Sequence, residues 1–322
     1  MVTHFFNLVR WTNLVIIALL MIIIRHFIFE GGLPSSMFTL QLSLFQFSIL
    51  VLSVVLIAAG GNIVNDIYDQ ETDEINKPNK KIIGNHFSEM TAWIMFVSLT
   101  GLGLALGYYL TNFILLENDF LSLHLISVVL LFVYSSKLKK TPLIGNISIA
   151  LLAAFIPLTL LAFEYPLLTY AYPTVIEFNL QYGLPNPFQY MFDWCFYLAF
   201  FAFITTLIRE LIKDMEDIEG DQQTKAKTLA VKVGIEKTKK AAIVLSIVTI
   251  VLVLVTAFKF SIFERNRMFV VGYQLLTVVG IIVYSITKLQ KAQNKEDFHL
   301  ISNLWKVIML AGFGTCIISY LF

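Results

Sequence analysis

The stretch QLSLFQFSILVLSVVLIAAGGNIVNDIYDQETD, residues 41–73, decides the fold because it joins a long apolar run to a row of acids. The apolar part is long enough for a membrane-spanning helix, which needs about 20 such residues. The acids that follow, Asp66, Asp69 and Asp73, stand at intervals of three and four residues, and Asn62 lies one turn earlier. At 3.6 residues per turn, these side chains share one face of a helix. The stretch therefore predicts a membrane helix that ends in an acidic stripe.

The composition indicates an integral membrane protein. Of its 322 residues, 57% are apolar and 14% are charged, whereas an ordinary soluble domain has about 25% charged residues. Runs of the length needed to cross a bilayer recur along the chain. The predicted spans lie near residues 12–29, 41–65, 91–111, 120–136, 143–163, 190–212, 240–260, 268–288 and 302–321.

These spans predict an all-α polytopic membrane protein. We expect a bundle of about nine transmembrane helices around a central cavity that is open to the cytoplasmic face. Because no tail is long enough for a separate unit, residues 1–322 are predicted to form one domain.

Basic residues are distributed unevenly among the connections. Lysines and arginines concentrate in residues 70–90, 137–142, 209–240 and 288–306. The positive-inside rule then predicts that the N-terminus and these loops are cytoplasmic and that the C-terminus is outside. We expect the protein in the plasma (inner) membrane, with membrane lipid around it, no nucleic-acid partner and no required protein partner.

A second acidic stripe repeats the spacing of the first. The segment LIRELIKDMEDIEGDQQTKAKT, residues 207–228, places Asp214, Asp217 and Asp221 at the end of another apolar helix. Six carboxylates gathered at one membrane face would repel one another unless a cation neutralised them. Mg²⁺ prefers oxygen ligands and is commonly held by carboxylates together with substrate phosphates. Two facing stripes therefore predict an Mg²⁺ site that clamps a diphosphate.

Lysines follow both stripes and occupy a third loop. Cations aimed at a departing diphosphate stabilise the negative charge that develops in the transition state. Each lysine could equally be a topology signal, and we prefer that interpretation for Lys80, Lys81 and Lys140. The lysines that remain candidates for stabilising the diphosphate are Lys77, Lys137, Lys139, Lys225 and Lys227.

The two acidic motifs resemble those of the UbiA superfamily of intramembrane prenyltransferases. Here they read NDIYDQETD, residues 65–73, and DMEDIEGD, residues 214–221. The resemblance extends to RWTN in the first predicted helix, to YSSKLKKTPLIGN in the third loop and to GDQQTKAKTL after the second stripe. The segments DEINKP and RELIKDMEDIEGD are similar to those of the geranylgeranylglycerol-phosphate geranylgeranyltransferases, also called digeranylgeranylglyceryl phosphate synthases.

The resemblance implies an Mg²⁺-dependent transfer of a prenyl group from a polyprenyl diphosphate to a lipophilic acceptor, which in these relatives is a glycerol lipid. It implies that the six aspartates are catalytic and, with Asn62, hold the metal. Tyr68 or Tyr134 would stabilise an allylic cation through their ring faces. The implied substrate-binding residues are Arg10, Asn13, Asn62, Asn65, Tyr68, Tyr134, Lys137, Lys139 and Lys213.

Two alternatives remain open at the level of sequence. One is an aromatic prenyltransferase of the quinone, chlorophyll or haem type. The other is a cation or proton transporter, although that class places carboxylates near the middle of the bilayer and not at helix ends.

The chain departs from the family pattern N-K-P-x-R-P, since Lys80 replaces the arginine and Lys81 the proline. Lysine keeps the charge but loses the bidentate fork of arginine.

Overall fold

A computed structural model of the chain describes residues 1–33, 37–76, 81–115, 121–261 and 267–321. Over these residues the protein is helical, with one isolated bridge between Ile83 and Phe87 and no longer strand. Lys77 and Lys80, two of the loop lysines considered above, lie outside the described residues. The helices are α1 Val2–Leu8, α2 Trp11–Ile23, α3 Leu44–Tyr68, α4 Gln70–Asn76, α5 Glu89–Tyr109, α6 Ser122–Ser136, α7 Ile144–Ala171, α8 Pro173–Gln181, α9 Gln189–Glu216, α10 Ile218–Gln223, α11 Leu229–Val233, α12 Ile235–Ser261, α13 Arg267–Tyr273, α14 Gly280–Lys291 and α15 Lys295–Leu321.

Three π-helical segments extend this set. They follow α2 at Ile24–Glu30, α5 at Leu110–Leu115 and α13 at Gln274–Val279, where the last one joins α13 to α14. Counted with these extensions, eight helices in the described part of the chain are long and apolar enough to cross a membrane. The remaining predicted span is α6, whose 15 residues reach about 22 Å at 1.5 Å per residue, less than the roughly 30 Å of a hydrocarbon core. The all-helical membrane fold is confirmed, while the number of nine crossings stays a prediction.

The central element is α9. It packs against α7, α12 and α15, and it buries large side chains along its whole length, including Phe201 and Ile208, which are both fully buried. On the other side of the bundle, α3 packs closely against α5. A Cβ on Gly103 of α5 would lie 2.8 Å from Ile57 Cγ1 and 2.9 Å from the Ser53 carbonyl oxygen. Small residues permit such close approach between membrane helices.

The helices that carry the acidic stripes are linked by their neighbours. α6 packs against both α3 and α7, and α7 packs against α9, while α2 contacts α3, α7 and α15. These six helices therefore surround a common interior, with the stripe-bearing ends of α3 and α9 at the same end of the bundle. α4 and α10, which continue the two stripes, pack directly on each other.

The connection between the predicted spans 143–163 and 190–212 is shorter than the sequence suggested. α7 continues to Ala171, beyond the predicted span of residues 143–163, and it contains Pro157 and Pro166 within its length. α8 follows almost at once and has Pro173 at its first turn, where the missing N–H costs nothing. The segment from residue 164 to residue 181, which is rich in tyrosine and phenylalanine, is thus largely helical.

Candidate active site

The first acidic stripe spans a break between two helices. α3 ends at Tyr68, and Asp69 stands before α4, with its backbone N–H still donating to Asn65 O at 3.0 Å. The Asn65 amide in turn donates to Asp69 Oδ2 at 2.7 Å. One turn earlier, Arg10 Nη2 donates to Asp66 Oδ1 at 2.6 Å. The stripe is therefore fixed by its own asparagine and by an arginine from the start of α2.

The second stripe has the same form. Asp214 lies in the last turn of α9, Asp217 separates α9 from α10, and Asp221 belongs to α10. Asn146, near the start of α7, donates to Asp214 Oδ2 at 2.9 Å, and Thr228 donates to Asp221 Oδ2 at 3.1 Å. Burial raises the pKa of Asp221, an effect that the Thr228 hydroxyl opposes because it stabilises the ionised carboxylate.

The two stripes meet across one cavity of about 260 Å³. Five of the six aspartates line it, and the sixth, Asp66, reaches its edge through the bond to Arg10. The predicted site residues in the lining are Arg10, Asn13, Asn62, Asn65, Asp69, Asp73, Tyr134, Lys139, Lys213, Asp214, Asp217 and Asp221.

The third loop supplies a cation to the same place. Lys139 forms an ion pair with Asp69 and also lies 3.4 Å from Asn65 Oδ1. Burial would lower the pKa of the Lys139 ammonium, but the adjacent Asp69 carboxylate, with a contribution from Tyr134, raises it overall. Lys139 therefore stays charged at neutral pH. The loop sits tightly on α7, since a Cβ on Gly145 would lie 2.7 Å from the Leu138 carbonyl oxygen.

Two predicted substrate-binding residues lie away from the cavity. Neither Tyr68 nor Lys137 is among its described lining residues. The Tyr68 side chain points outward, where its ring meets Trp93 and Phe132 edge to face. Roles for these two residues in binding substrate stay predictions.

Some lining residues were not singled out in the sequence. Arg209 Nη1 donates to Glu210 Oε1 at 2.9 Å, and Lys213 Nζ lies 3.4 Å from the same carboxylate. Asn146 belongs to the segment YSSKLKKTPLIGN, and Arg209 and Glu210 directly precede the second stripe. Their positions within these motifs were the signal that could have marked them as site residues. The further lining residues of this kind are Asn146, Arg209, Glu210 and Thr228, and Lys140, interpreted from the sequence as a topology signal, also lines the cavity.

A second cavity, of about 310 Å³, continues from the first. Its walls are mostly aliphatic side chains from α2, α3, α6, α7, α9 and α15, including Ile17, Ile57 and Ile156. The two cavities share five lining residues, namely Asn13, Asn62, Leu131, Ile149 and Arg209. A polar chamber thus opens directly into an apolar one.

The sequence of the chain matches a known family over most of its length. The family model is described as the UbiA prenyltransferase family and covers residues 34–307. The chain belongs to the UbiA prenyltransferase family. The predicted family, the integral membrane location and the enzyme class, a prenyltransferase, are thereby confirmed.

Two relatives of this UbiA protein are each named digeranylgeranylglyceryl phosphate synthase. The relative from Methanosphaera stadtmanae is 31% identical over 262 residues, which is 80% of this chain and 82% of the relative. The relative from Thermococcus kodakarensis is 31% identical over 279 residues, 86% of this chain and 83% of the relative.

Solved structures share the fold. A UbiA homolog from Archaeoglobus fulgidus bound to DMAPP and Mg²⁺ superposes with a TM-score of 0.60 at 18% identity, over 98% of this chain and 99% of the homolog. A structure described in connection with digeranylgeranylglyceryl phosphate synthase gives a TM-score of 0.60 at 23% identity, over 100% and 99% of the two chains.

The side chains of this UbiA protein fit Mg²⁺ as a partial ligand set that a diphosphate would complete. The described residues contain no group of three or more His, Cys, Asp or Glu side chains placed to hold a metal by themselves. Mg²⁺ is usually bound by only one or two carboxylates, with waters and substrate phosphates completing its shell. Facing carboxylates on two sides of an open cavity supply that partial set of oxygen ligands, and a diphosphate between them would supply the rest.

Proposed function

We propose that this protein transfers a prenyl group from a polyprenyl diphosphate to a glycerol lipid of the geranylgeranylglycerol-phosphate type, with Mg²⁺. One observation carries the proposal: the chamber lined by both acidic stripes is continuous with an apolar cavity. A prenyl diphosphate has the same two parts, an anionic head and a long hydrocarbon chain. The names of the two relatives support the glycerol-lipid acceptor.

In this proposal the aspartates hold the metal at the diphosphate. The ligands are Asp69 and Asp73 on one side and Asp214, Asp217 and Asp221 on the other, with Asp66 and Asn62 completing the first stripe. Bound there, Mg²⁺ supplies Lewis-acid polarisation of the diphosphate oxygens. Arg10 and Lys139 now pair with Asp66 and Asp69, so both cations stand beside the leaving group and stabilise its developing charge.

The reaction is a substitution at the allylic carbon. The C1–O bond to the diphosphate breaks and its electron pair leaves with the diphosphate. The acceptor hydroxyl oxygen then forms an ether bond to C1, and the hydroxyl proton passes to the released diphosphate. Tyr134, which lines the polar chamber and is 8% exposed, offers a ring face to the transient allylic cation, and the aliphatic walls exclude water from it.

We further propose that the chain is one domain with its catalytic end at the cytoplasmic face of the plasma membrane. Arg10, close to the N-terminus, lines the polar chamber. Tyr320, close to the C-terminus, packs against His26 near the far end of the first membrane helix. This arrangement supports the topology that the basic loops predict, with the N-terminus inside and the C-terminus outside.

The test is incorporation of a labelled prenyl diphosphate by purified protein in detergent or liposomes. We expect transfer to geranylgeranylglyceryl phosphate that stops when EDTA removes Mg²⁺ and resumes when it is restored. Transfer to an aromatic acceptor alone would replace the glycerol-lipid assignment with the aromatic one. Ion flux in liposomes without any transfer would refute the enzymatic proposal altogether.

A further inference from the structure

A cluster of cations lies beside the acidic stripes, and one of them has no carboxylate in contact among the described residues. Arg209, Lys213 and Lys306 all line the two connected cavities. Glu210 is the carboxylate that contacts the first two, at 2.9 Å and 3.4 Å. In the described part of the chain, Lys306 has no recorded ion pair or hydrogen bond. Arg209 and Lys213 therefore share Glu210, whereas Lys306 has no described carboxylate in contact.

The position of Lys306 is unusual for a lysine. It lies about 16 Å along α15 from the first residue of that helix, at 1.5 Å per residue. Its chain neighbours are Trp305, which is fully buried, and Val307. Lys306 lines the apolar cavity and not the polar one. Because ionisable side chains within membrane helices are costly, their presence there indicates function.

Several nearby acids contact other residues and not Lys306. Asp66 pairs with Arg10 and Asp69 with Lys139, across the polar chamber. Asp214 accepts from Asn146, and Glu216 lies 2.8 Å from His299 on the outside of the bundle. In the described part of the chain, Lys306 is thus a cation that faces the apolar cavity with no carboxylate in contact.

We propose that Arg209 and Lys306 form an anion site for the phosphate of the acceptor lipid, separate from the metal site that binds the donor diphosphate. This inference rests on the proposed function. A phosphomonoester carries up to two negative charges, and the two side chains supply two cations. Arg209 lines both cavities, so a phosphate bound beside it would hold the acceptor hydroxyl near the junction where the allylic carbon is presented.

A separate site also solves an electrostatic problem. The donor diphosphate and the acceptor phosphate repel each other, and the aspartates repel both unless metal is present. Separate counter-charges, a metal at the aspartates and the pair Arg209 and Lys306, would allow both anions to enter together. An acceptor without a phosphate would leave Lys306 without a counter-charge in an apolar cavity, so this pair would favour phosphorylated acceptors over neutral aromatic ones.

The experiment compares Lys306→Gln with the wild type, with Lys306→Arg as the conservative variant and Lys291→Gln as the control. Lys291 is an exposed lysine at the end of α14, so its replacement changes net charge equally but leaves the cavity intact. Steady-state rates are measured while donor and acceptor are varied in turn. Dodecyl phosphate is added as a competitor that has a phosphate and an apolar tail but no hydroxyl to react.

We expect Lys306→Gln to raise the acceptor KM by about tenfold or more and to leave the donor KM within about twofold. Dodecyl phosphate should compete with acceptor in the wild type, and its Ki should rise in the same proportion in Lys306→Gln. Lys306→Arg should restore both values, and Lys291→Gln should match the wild type. A general folding defect would instead lower kcat, raise both KM values and resist rescue by arginine, and that pattern would overturn the assignment.

Two further outcomes separate this inference from the proposed function. If wild type transfers to geranylgeranylglyceryl phosphate but Lys306→Gln keeps its acceptor KM and its Ki for dodecyl phosphate, the anion site is refuted and the function stands. If wild type uses only acceptors without phosphate, the proposed function fails, and inhibition by dodecyl phosphate then tests the anion site on its own. Inhibition that Lys306→Gln weakens would support an anion site there, and equal inhibition of both proteins would refute it.

Discussion

The charge cluster around Arg25 and Glu164 and the acidic stripes differ in what holds them. At the end away from the stripes, Arg25 and Glu164 are 7% and 1% exposed. Glu164 accepts from the backbone N–H of Leu42 at 3.3 Å, and Arg25 Nη2 donates to Leu42 O at 2.7 Å. The acidic stripes instead pair with side chains, such as Arg10 and Lys139, across an open cavity.

The difference separates structural charge from functional charge. Backbone groups that bind Glu164 cannot leave without unfolding the connection before α3, so that cluster fastens the first membrane helix, this connection and α7 together. Side-chain cations can swing from a carboxylate to a substrate anion at little cost, because long side chains change rotamer readily. Burial alone therefore does not identify a site, whereas exchangeable partners beside a cavity do.

The largest expected effect is on turnover at the stripes. We expect Asp214→Asn, which keeps the size of the side chain, to lower kcat by about a thousandfold because it removes a charged oxygen ligand from the metal. Asp66→Asn should act in the same direction. The measurement is single-turnover prenyl transfer at saturating Mg²⁺, with thermal unfolding in detergent as the control for folding. Activity within a few-fold of wild type would remove the residue from the metal site.

The opposite cluster should show the reverse pattern. We expect Glu164→Ala to destabilise the protein by about 3 kcal/mol, since it removes the acceptor of the Leu42 backbone N–H and leaves the buried Arg25 with Glu30 as its remaining carboxylate partner. The folded fraction should keep the kcat of the wild type because Glu164 does not line the polar chamber. Glu177→Ala on α8, where burial is slight, is the matched control and should change neither quantity. A loss of kcat with unchanged thermal stability would abolish the distinction between the clusters.

The sequence predicted much of this arrangement from spacing alone. Asparagines and aspartates at helical intervals after two apolar runs indicated two stripes, and the structure brings them to one cavity. Tyr68 shows where reasoning by neighbourhood fails. It stands beside the stripe in sequence, but at 100° per residue it lies about 200° around the helix from Asp66, and its ring packs outward on Trp93.

Other features depend on contacts between distant segments, which one sequence does not reveal. The pairing of Arg10 with Asp66 joins residues on two helices, as does that of Lys139 with Asp69. The bond from Asn146 to Asp214 likewise requires α7 and α9 to pack in one register. The absence of a carboxylate in contact with Lys306, within the described residues, becomes visible only when these pairs are assigned.

The smallest expected effect concerns pH, and it refines the idea of exchangeable partners. Burial raises the pKa of Asp221 and the Thr228 hydroxyl opposes that rise, so Thr228→Val should raise the pKa further. Since a proton and Mg²⁺ compete for the same carboxylate, the Mg²⁺ concentration for half-maximal activity should increase as pH falls through this pKa. In Thr228→Val that increase should begin at higher pH, by at most about one unit. Thr249→Val, whose hydroxyl bonds only within its own helix, serves as the control. A profile that Thr228→Val leaves unchanged would refute the proposal that Thr228 stabilises the ionised Asp221 carboxylate at the metal site.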